Sequence, residues 1–278
     1  MYYGKNDDEV ARVARRKQKF SNQARDTILN DVLRDSALLS RSTQSSSSML
    51  LKVQKDAEAR EALLTQLENQ DIDSHTYGHG LRKLREVIVS IYDSEQSDTK
   101  FKLLVMKVYT MSYRFFLKNK EYHKLGGIVL NFIIEKKLYQ QNIELLYIFI
   151  LYKSFIEKNI EACIGVILKW QLKEQCYDLL QLSLIYLQEI SSPMDWFQIV
   201  SAQAKDKLVY EFIYKSPAFQ EMKERTFIQV SRCYNQIPLA FLREYWFQGL
   251  IDETEIADHF QIEKSEVGTK TIYFKKRH

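Results

Sequence analysis

From Leu81 onward, apolar residues recur every three or four positions. Leu81, Leu84, Ile88 and Ile91 make one face; Phe101, Leu104, Val108, Met111 and Phe115 make the next. Leu125, Ile128, Val129, Phe132 and Ile133 make a third, and the series runs on through Ile160, Cys163, Ile164 and Ile167, then Cys176, Leu179, Leu180 and Leu187. This period predicts a succession of amphipathic helices. Leu146 to Phe155 is apolar almost all round, which places that helix at the centre of the fold.

Two parts of this series match in register. Phe116 to Leu125 (FLKNKEYHKL) precedes Phe155 to Ile164 (FIEKNIEACI) by 39 residues, and each reads as a helix end, a short polar turn and a new amphipathic helix. A period near 40 built from helix pairs predicts an α-solenoid, with antiparallel neighbours joined by short turns. The predicted helical-repeat region spans residues 81–215. Within it, Pro193 of Ser191 to Phe197 opens a helix, and Lys205 to Tyr214 reads as another short one.

Before Leu81 the stripe is thin. Ala24, Ile28, Val32 and Leu39 approximate a heptad, Arg41 to Ser48 is serine-rich, and Leu50, Val53, Ala57, Leu64 and Leu67 resume a helical face. Residues 1–70 are therefore predicted as an N-terminal helical arm, partly flexible. Asp71 to Gly80 holds two of the eight glycines and reads as a loop. His75 and His79 lie in it, with no Cys or third His near enough to complete a zinc ligand set.

After Ser216 the periods mix. Phe227, Val230 and Tyr234 give a helical face ended by Asn235. Ile237, Pro238, Leu239, Phe241, Leu242 and Tyr245 open another helix, with the proline in its first turn. Asp252, Glu253 and Glu255 enrich the start of a third helix, where the helix dipole favours acid, and Ile251, Ile256 and Phe260 are its apolar positions. Ile262, a Val267–Gly268 turn and Thr271 to Phe274 then read as a two-stranded β-hairpin. Helix, turn, helix and hairpin is the winged-helix order, predicted for residues 216–278.

Composition narrows the classes. Only 8 Gly and 3 Pro among 278 residues disfavour turn-rich sandwiches and nucleotide-binding α/β folds. The net charge of +4 permits an acidic partner without demanding one. The basic run Arg12 to Lys19 is diluted by Asp7, Asp8 and Glu9, so it reads as a solvated face in preference to an import or nucleic-acid signal. Three widely spaced cysteines, Cys163, Cys176 and Cys233, suit reduced thiols in the cytoplasm or nucleus, the first two on apolar faces. The most apolar run, Ile143 to Tyr152, is too short to span a bilayer, so no membrane insertion is expected. Neither a glycine-rich phosphate loop, nor a nucleophile motif, nor metal-ligand spacing occurs, so no enzyme activity, cofactor or metal is expected.

A helical-repeat region running into a winged helix resembles the PCI-domain family, in particular its small-subunit branch in the proteasome lid, the signalosome and translation initiation factor three. Tyr234, then Ile237, Leu239 and Leu242, then Ile256 to Phe260 and Ile272 to Phe274 carry the resemblance. It implies a non-catalytic scaffold subunit whose winged-helix strand pairs with neighbouring protein subunits. On that reading Ile272, Tyr273 and Phe274 are the partner-binding edge, although period-two alternation also fits Ile272 and Phe274 to the local core. The alternative is an RNA- or DNA-binding adaptor using Lys275, Lys276 and Arg277, with further lysines at Lys205, Lys207, Lys215 and Lys223. The acidic third helix argues against a groove-reading role, because Asp252, Glu253, Glu255 and Asp258 repel phosphate.

Overall fold

In a computed structural model of the chain, residues 53–72, 75–172, 176–203, 207–264 and 270–274 are described. The predicted features at residues 1–52, including the basic run and the serine-rich stretch, lie outside them, as do the Val267–Gly268 turn and Lys275 to His278. The described chain is mainly helical, with one small antiparallel sheet near its C-terminus. It divides into two compact units, residues 1–115 and 116–278.

In the first unit, Asp56 caps α1 (Ala57–Glu68) by accepting a hydrogen bond from the Glu58 amide at 2.9 Å. α1 buries Leu63, Leu64 and Leu67, together with Arg60. Burial of the guanidinium is compensated: it donates to the Val53 and Gln54 carbonyls and lies 2.6 Å from a Glu95 carboxylate oxygen. α2 (His75–Glu95) begins inside the segment that the glycines mark as a loop. Gly78 lies within this helix and packs against Phe115; a Cβ there would lie 2.7 Å from Phe115 Cζ. The glycine signals a close approach, not a turn, and the loop expected over Asp71 to Gly80 is corrected to a helix from His75. α3 (Thr99–Lys118) follows, and its Ser112 hydroxyl accepts from buried Arg85 at 2.7 Å.

The second unit is organised around α5 (Glu144–Phe155), as its apolar circumference predicts. Nine of its 12 residues are buried. It touches the helix before it, α4 (residues 122–135), then α6 (Ile160–Lys169), α7 (Tyr177–Gln188) and α9 (Leu208–Lys215). α4 is α-helical at Tyr122–Lys124, π-helical at Leu125–Leu130 and α-helical again at Asn131–Glu135. α8 (Pro193–Ser201) starts as predicted, with Pro193 in its first turn and the Ser192 hydroxyl accepting from the Met194 amide.

The two register-matched segments are both helix–turn–helix junctions. α3 ends at Lys118 and α4 starts at Tyr122; α5 ends at Phe155 and α6 starts at Ile160. Each turn contains a lysine in the left-handed region, Lys120 at φ 57° and Lys158 at φ 52°. Lys137, Gln171, Glu189 and Gln248 do the same near other helix ends. Polar residues here take the left-handed position that glycine usually fills, which is how a glycine-poor chain still makes short turns.

A path of aromatic rings joins the central helix to the C-terminal elements. Phe155 packs on Trp196 at 6.2 Å between centroids, Trp196 on Phe197 at 5.2 Å, and Phe197 on Phe247 at 5.0 Å. Phe247 meets Phe227 at 5.1 Å, Phe227 meets Phe260 at 5.3 Å, and Phe260 meets Phe274 at 4.9 Å. Several pairs are edge-to-face, the geometry that ring quadrupoles favour. The C-terminal elements thus share one core with the preceding helices of their unit.

Candidate functional site

Six elements close the chain. α10 (Pro217–Cys233) leads into β1 (Gln236–Pro238), then α11 (Leu239–Phe241, continued by a π-helical stretch Leu242–Trp246), α12 (Glu253–Ala257), β2 (Ile262–Lys264) and β3 (Lys270–Tyr273). The sheet has three strands, where the hydropathy pattern predicts a two-stranded hairpin. Ile237 and Pro238, read from sequence as the opening of a helix, form the additional strand. Alternation in a three-residue strand is too brief a signal to separate from a helix start, and Pro238 strengthens the helical reading.

Strand order is β1-β3-β2, both pairings antiparallel. Ile272 is opposite Ile237 on one side and opposite Ile262 on the other, and it is fully buried. Tyr273 and Phe274 are half-buried. β3 is therefore the middle strand. The free edge predicted at Ile272, Tyr273 and Phe274 is not an edge, because β1 and β2 occupy its two sides.

Among the described residues, the backbone groups not used within this sheet fall on the outer strands, and the register says which they are. The Phe274 amide donates to the Asn235 carbonyl at 3.0 Å. Hydrogen-bonded pairs alternate along an antiparallel ladder, so Ile237 and Ile272 exchange the next bonds and Gln236 and Pro238 face outward. Pro238 has no N–H, which leaves β1 a poor template for another strand. On the other side, Thr271 turns its backbone groups toward Glu263, so Ile262 and Lys264 face outward. Each therefore turns its backbone amide and carbonyl away from β3.

Polar side-chain contacts fix α12 beside this sheet. Lys223 of α10 is buried and lies 2.7 Å from Glu255. Lys270 of β3 bonds Glu253, and His259 Nε2 lies 3.1 Å from Glu224 of α10. Two lysines that the sequence offers to phosphate are thereby committed elsewhere: Lys223 to Glu255, and Lys215 to Glu211 at 2.8 Å. Lys205, Lys275, Lys276 and Arg277 lie outside the described residues.

Two aromatic residues of the helix predicted to open at Ile237 are exposed on α11. Phe241 and Tyr245 are 39% and 52% exposed and stack with ring centroids 4.8 Å apart. One polar cluster escaped the sequence reading altogether. Lys158 Nζ lies 2.7 Å from Glu221 Oε2, the Tyr186 hydroxyl donates to the same oxygen at 2.8 Å, and Arg225 donates to the Tyr186 carbonyl at 3.0 Å. It ties the turn after α5 and the end of α7 to α10. Charged residues scattered over 68 positions leave no local spacing by which sequence could join them.

Both cysteines on apolar helical positions are buried, Cys163 and Cys176, whereas Cys233 is exposed. Burial pushes the Cys163 thiol up and the Cys176 thiol up to about 11, so each stays protonated and unreactive near neutrality. No helix among the described residues is long and apolar enough to cross a membrane. No known protein family, curated protein or solved structure matches the chain.

Proposed function

We propose that this chain is a non-catalytic scaffold subunit of a multi-subunit assembly, its C-terminal elements forming a winged helix of the PCI type on a stack of helix pairs. The order helix, strand, helix, helix, strand, strand, with β3 between β1 and β2, supports the winged-helix reading. The two matching helix–turn–helix junctions support the stack. The observation that carries the function is the outer edge of β2, where Ile262 and Lys264 direct backbone donors and acceptors away from the sheet. A strand of a partner subunit satisfies these groups by extending the sheet. The acidic, clamped α12 supports a protein partner over a nucleic-acid groove.

The test is affinity capture of the full chain from its own cells, followed by mass spectrometry, for wild type and two proline variants. Lys264→Pro removes an outward N–H and no ladder bond, so it should release the partners while the chain stays folded. Glu263→Pro removes a ladder bond and should destabilise the sheet itself. Wild-type chain recovered alone, or partners retained by Lys264→Pro, would reject the proposal.

A further inference from the structure

We infer that α6 carries a self-association surface, which pairs antiparallel with α6 of a second copy of this chain across a two-fold axis at Gly165. Seven of the ten residues of α6 are apolar, yet only Cys163 and Ile167 are buried. Ile164 and Leu168, one turn apart, are 37% and 55% exposed on the solvent face. An apolar pair at this spacing is a docking stripe when something covers it.

Gly165 lies beside this pair, on the adjoining ridge of the helix. Among the described residues, nothing beyond its chain neighbours and the helix's own backbone lies within 4 Å of where its Cβ would be, so packing there does not require a glycine. Glycine inside a helix costs about 1 kcal/mol relative to alanine. What it supplies is a bare stretch of backbone, against which a second helix axis can approach closely.

The charges choose the occupant. Glu161, Gly165 and Lys169 follow one another at intervals of four along a single ridge, and both charged residues are exposed. A two-fold axis through Gly165 exchanges the positions four before and four after it. Glu161 of one copy then faces Lys169 of the other, twice, and Leu168 lies against the bare backbone near Gly165 of its partner. A parallel pair would place Glu161 on Glu161. The face is thus self-complementary in one orientation. A ten-residue helix is about 15 Å long. Its face is smaller than the roughly 800 Å² per partner of a stable interface, so the dimer is a weak one.

Sedimentation velocity of the full chain over a concentration series tests this. Wild type should show a monomer–dimer equilibrium. Glu161→Lys and Lys169→Glu should each raise the dimer Kd by about tenfold or more, and Leu168→Asp should abolish it. An equimolar mixture of Glu161→Lys with Lys169→Glu should associate again, because one copy then presents two bases and the other two acids. Circular dichroism checks that each variant folds; all three sites are exposed. Wild type that stays monomeric at millimolar concentration overturns the inference. So does a dimer indifferent to both charge reversals, or a mixture that fails to associate. If a different protein covers the face, wild type is monomeric while Leu168→Asp loses a captured partner, and self-association is again overturned.

Discussion

Gly126 lies directly against the phenol ring of Tyr152, and a Cβ at Gly126 would fall inside the van der Waals contact of the ring. The contact joins the π-helical turn of α4 to the buried face of α5. The adjacent Gly127 has nothing within 4 Å of its Cβ position and is exposed. Two neighbouring glycines therefore respond in opposite directions. Gly126→Ala should lower stability by about 1–3 kcal/mol through overpacking. Gly127→Ala should raise it by up to about 1 kcal/mol through helix propensity. Urea unfolding of the two variants checks the pair; equal effects of one sign would contradict the packing.

These two glycines also show what the sequence holds and hides. Dense apolar positions at helical spacing reveal the helices, and an apolar circumference reveals α5 as central. Nothing in a glycine's letter says whether it serves a turn, a close contact or open space: Gly78 and Gly126 serve contacts, Gly127 serves none inside the chain, and Gly249 at φ 70° serves a turn. The left-handed turns after helices are equally silent, because Lys120, Lys137 and Lys158 occupy them. At the candidate site, alternation correctly turns Ile272 toward the core. It fails on strand order, since β1 comes from a three-residue segment that a proline disguises as a helix start. Which strand is the edge is a property of pairing between distant segments, and no local pattern encodes it.

The Lys158–Glu221 pair makes a pH prediction with a definite sign. Burial alone would raise the Glu221 carboxyl, but the hydrogen bonds from Lys158 and Tyr186, with Arg225 nearby, outweigh it and hold the carboxyl below its ordinary value. A depressed carboxyl contributes stability above its unfolded pKa of about 4.3, and that contribution is lost as pH falls through the folded value. Lys158 is shifted the other way, its ammonium held by Glu221 and Tyr186 against burial. Its contribution is complete below about pH 10.4 and is lost as pH rises through its raised folded value. Glu221→Gln should therefore be less stable than wild type near neutrality, by under about 1 kcal/mol because both side chains are half-exposed. The gap should close below about pH 4. Urea midpoints at several pH values check this; a gap that persists in acid would refute it.

Thiol labelling follows from burial. Cys233 is exposed, and Cys163 and Cys176 are both 0% exposed. The Cys163 sulfur also meets the Ser183 hydroxyl at 3.6 Å, which in turn donates to Ser154 at 2.8 Å. An aromatic disulfide reagent at pH 8 should modify one thiol rapidly in the native chain and the other two only on unfolding. Cys233→Ser should abolish the rapid phase. Rapid modification that survives this substitution would show that α6 or α7 opens easily.

Ile272 separates the fold of the C-terminal sheet from its interactions. It lies between Ile237 and Ile262 in the middle strand and is fully buried. Truncation to alanine leaves a cavity with a sheet partner on each side, and Ile272→Ala should cost about 2–5 kcal/mol. Tyr273 is half-buried and belongs to the same strand, so Tyr273→Ala should cost less. If partners pair along β2, the two variants should bind in proportion to the folded fraction that remains, as thermal unfolding reports it. Lys264→Pro should break that proportion, losing binding at near wild-type stability, because its amide faces away from β3. Binding lost in Tyr273→Ala at full stability would instead move the contact from the β2 backbone to a side chain of β3.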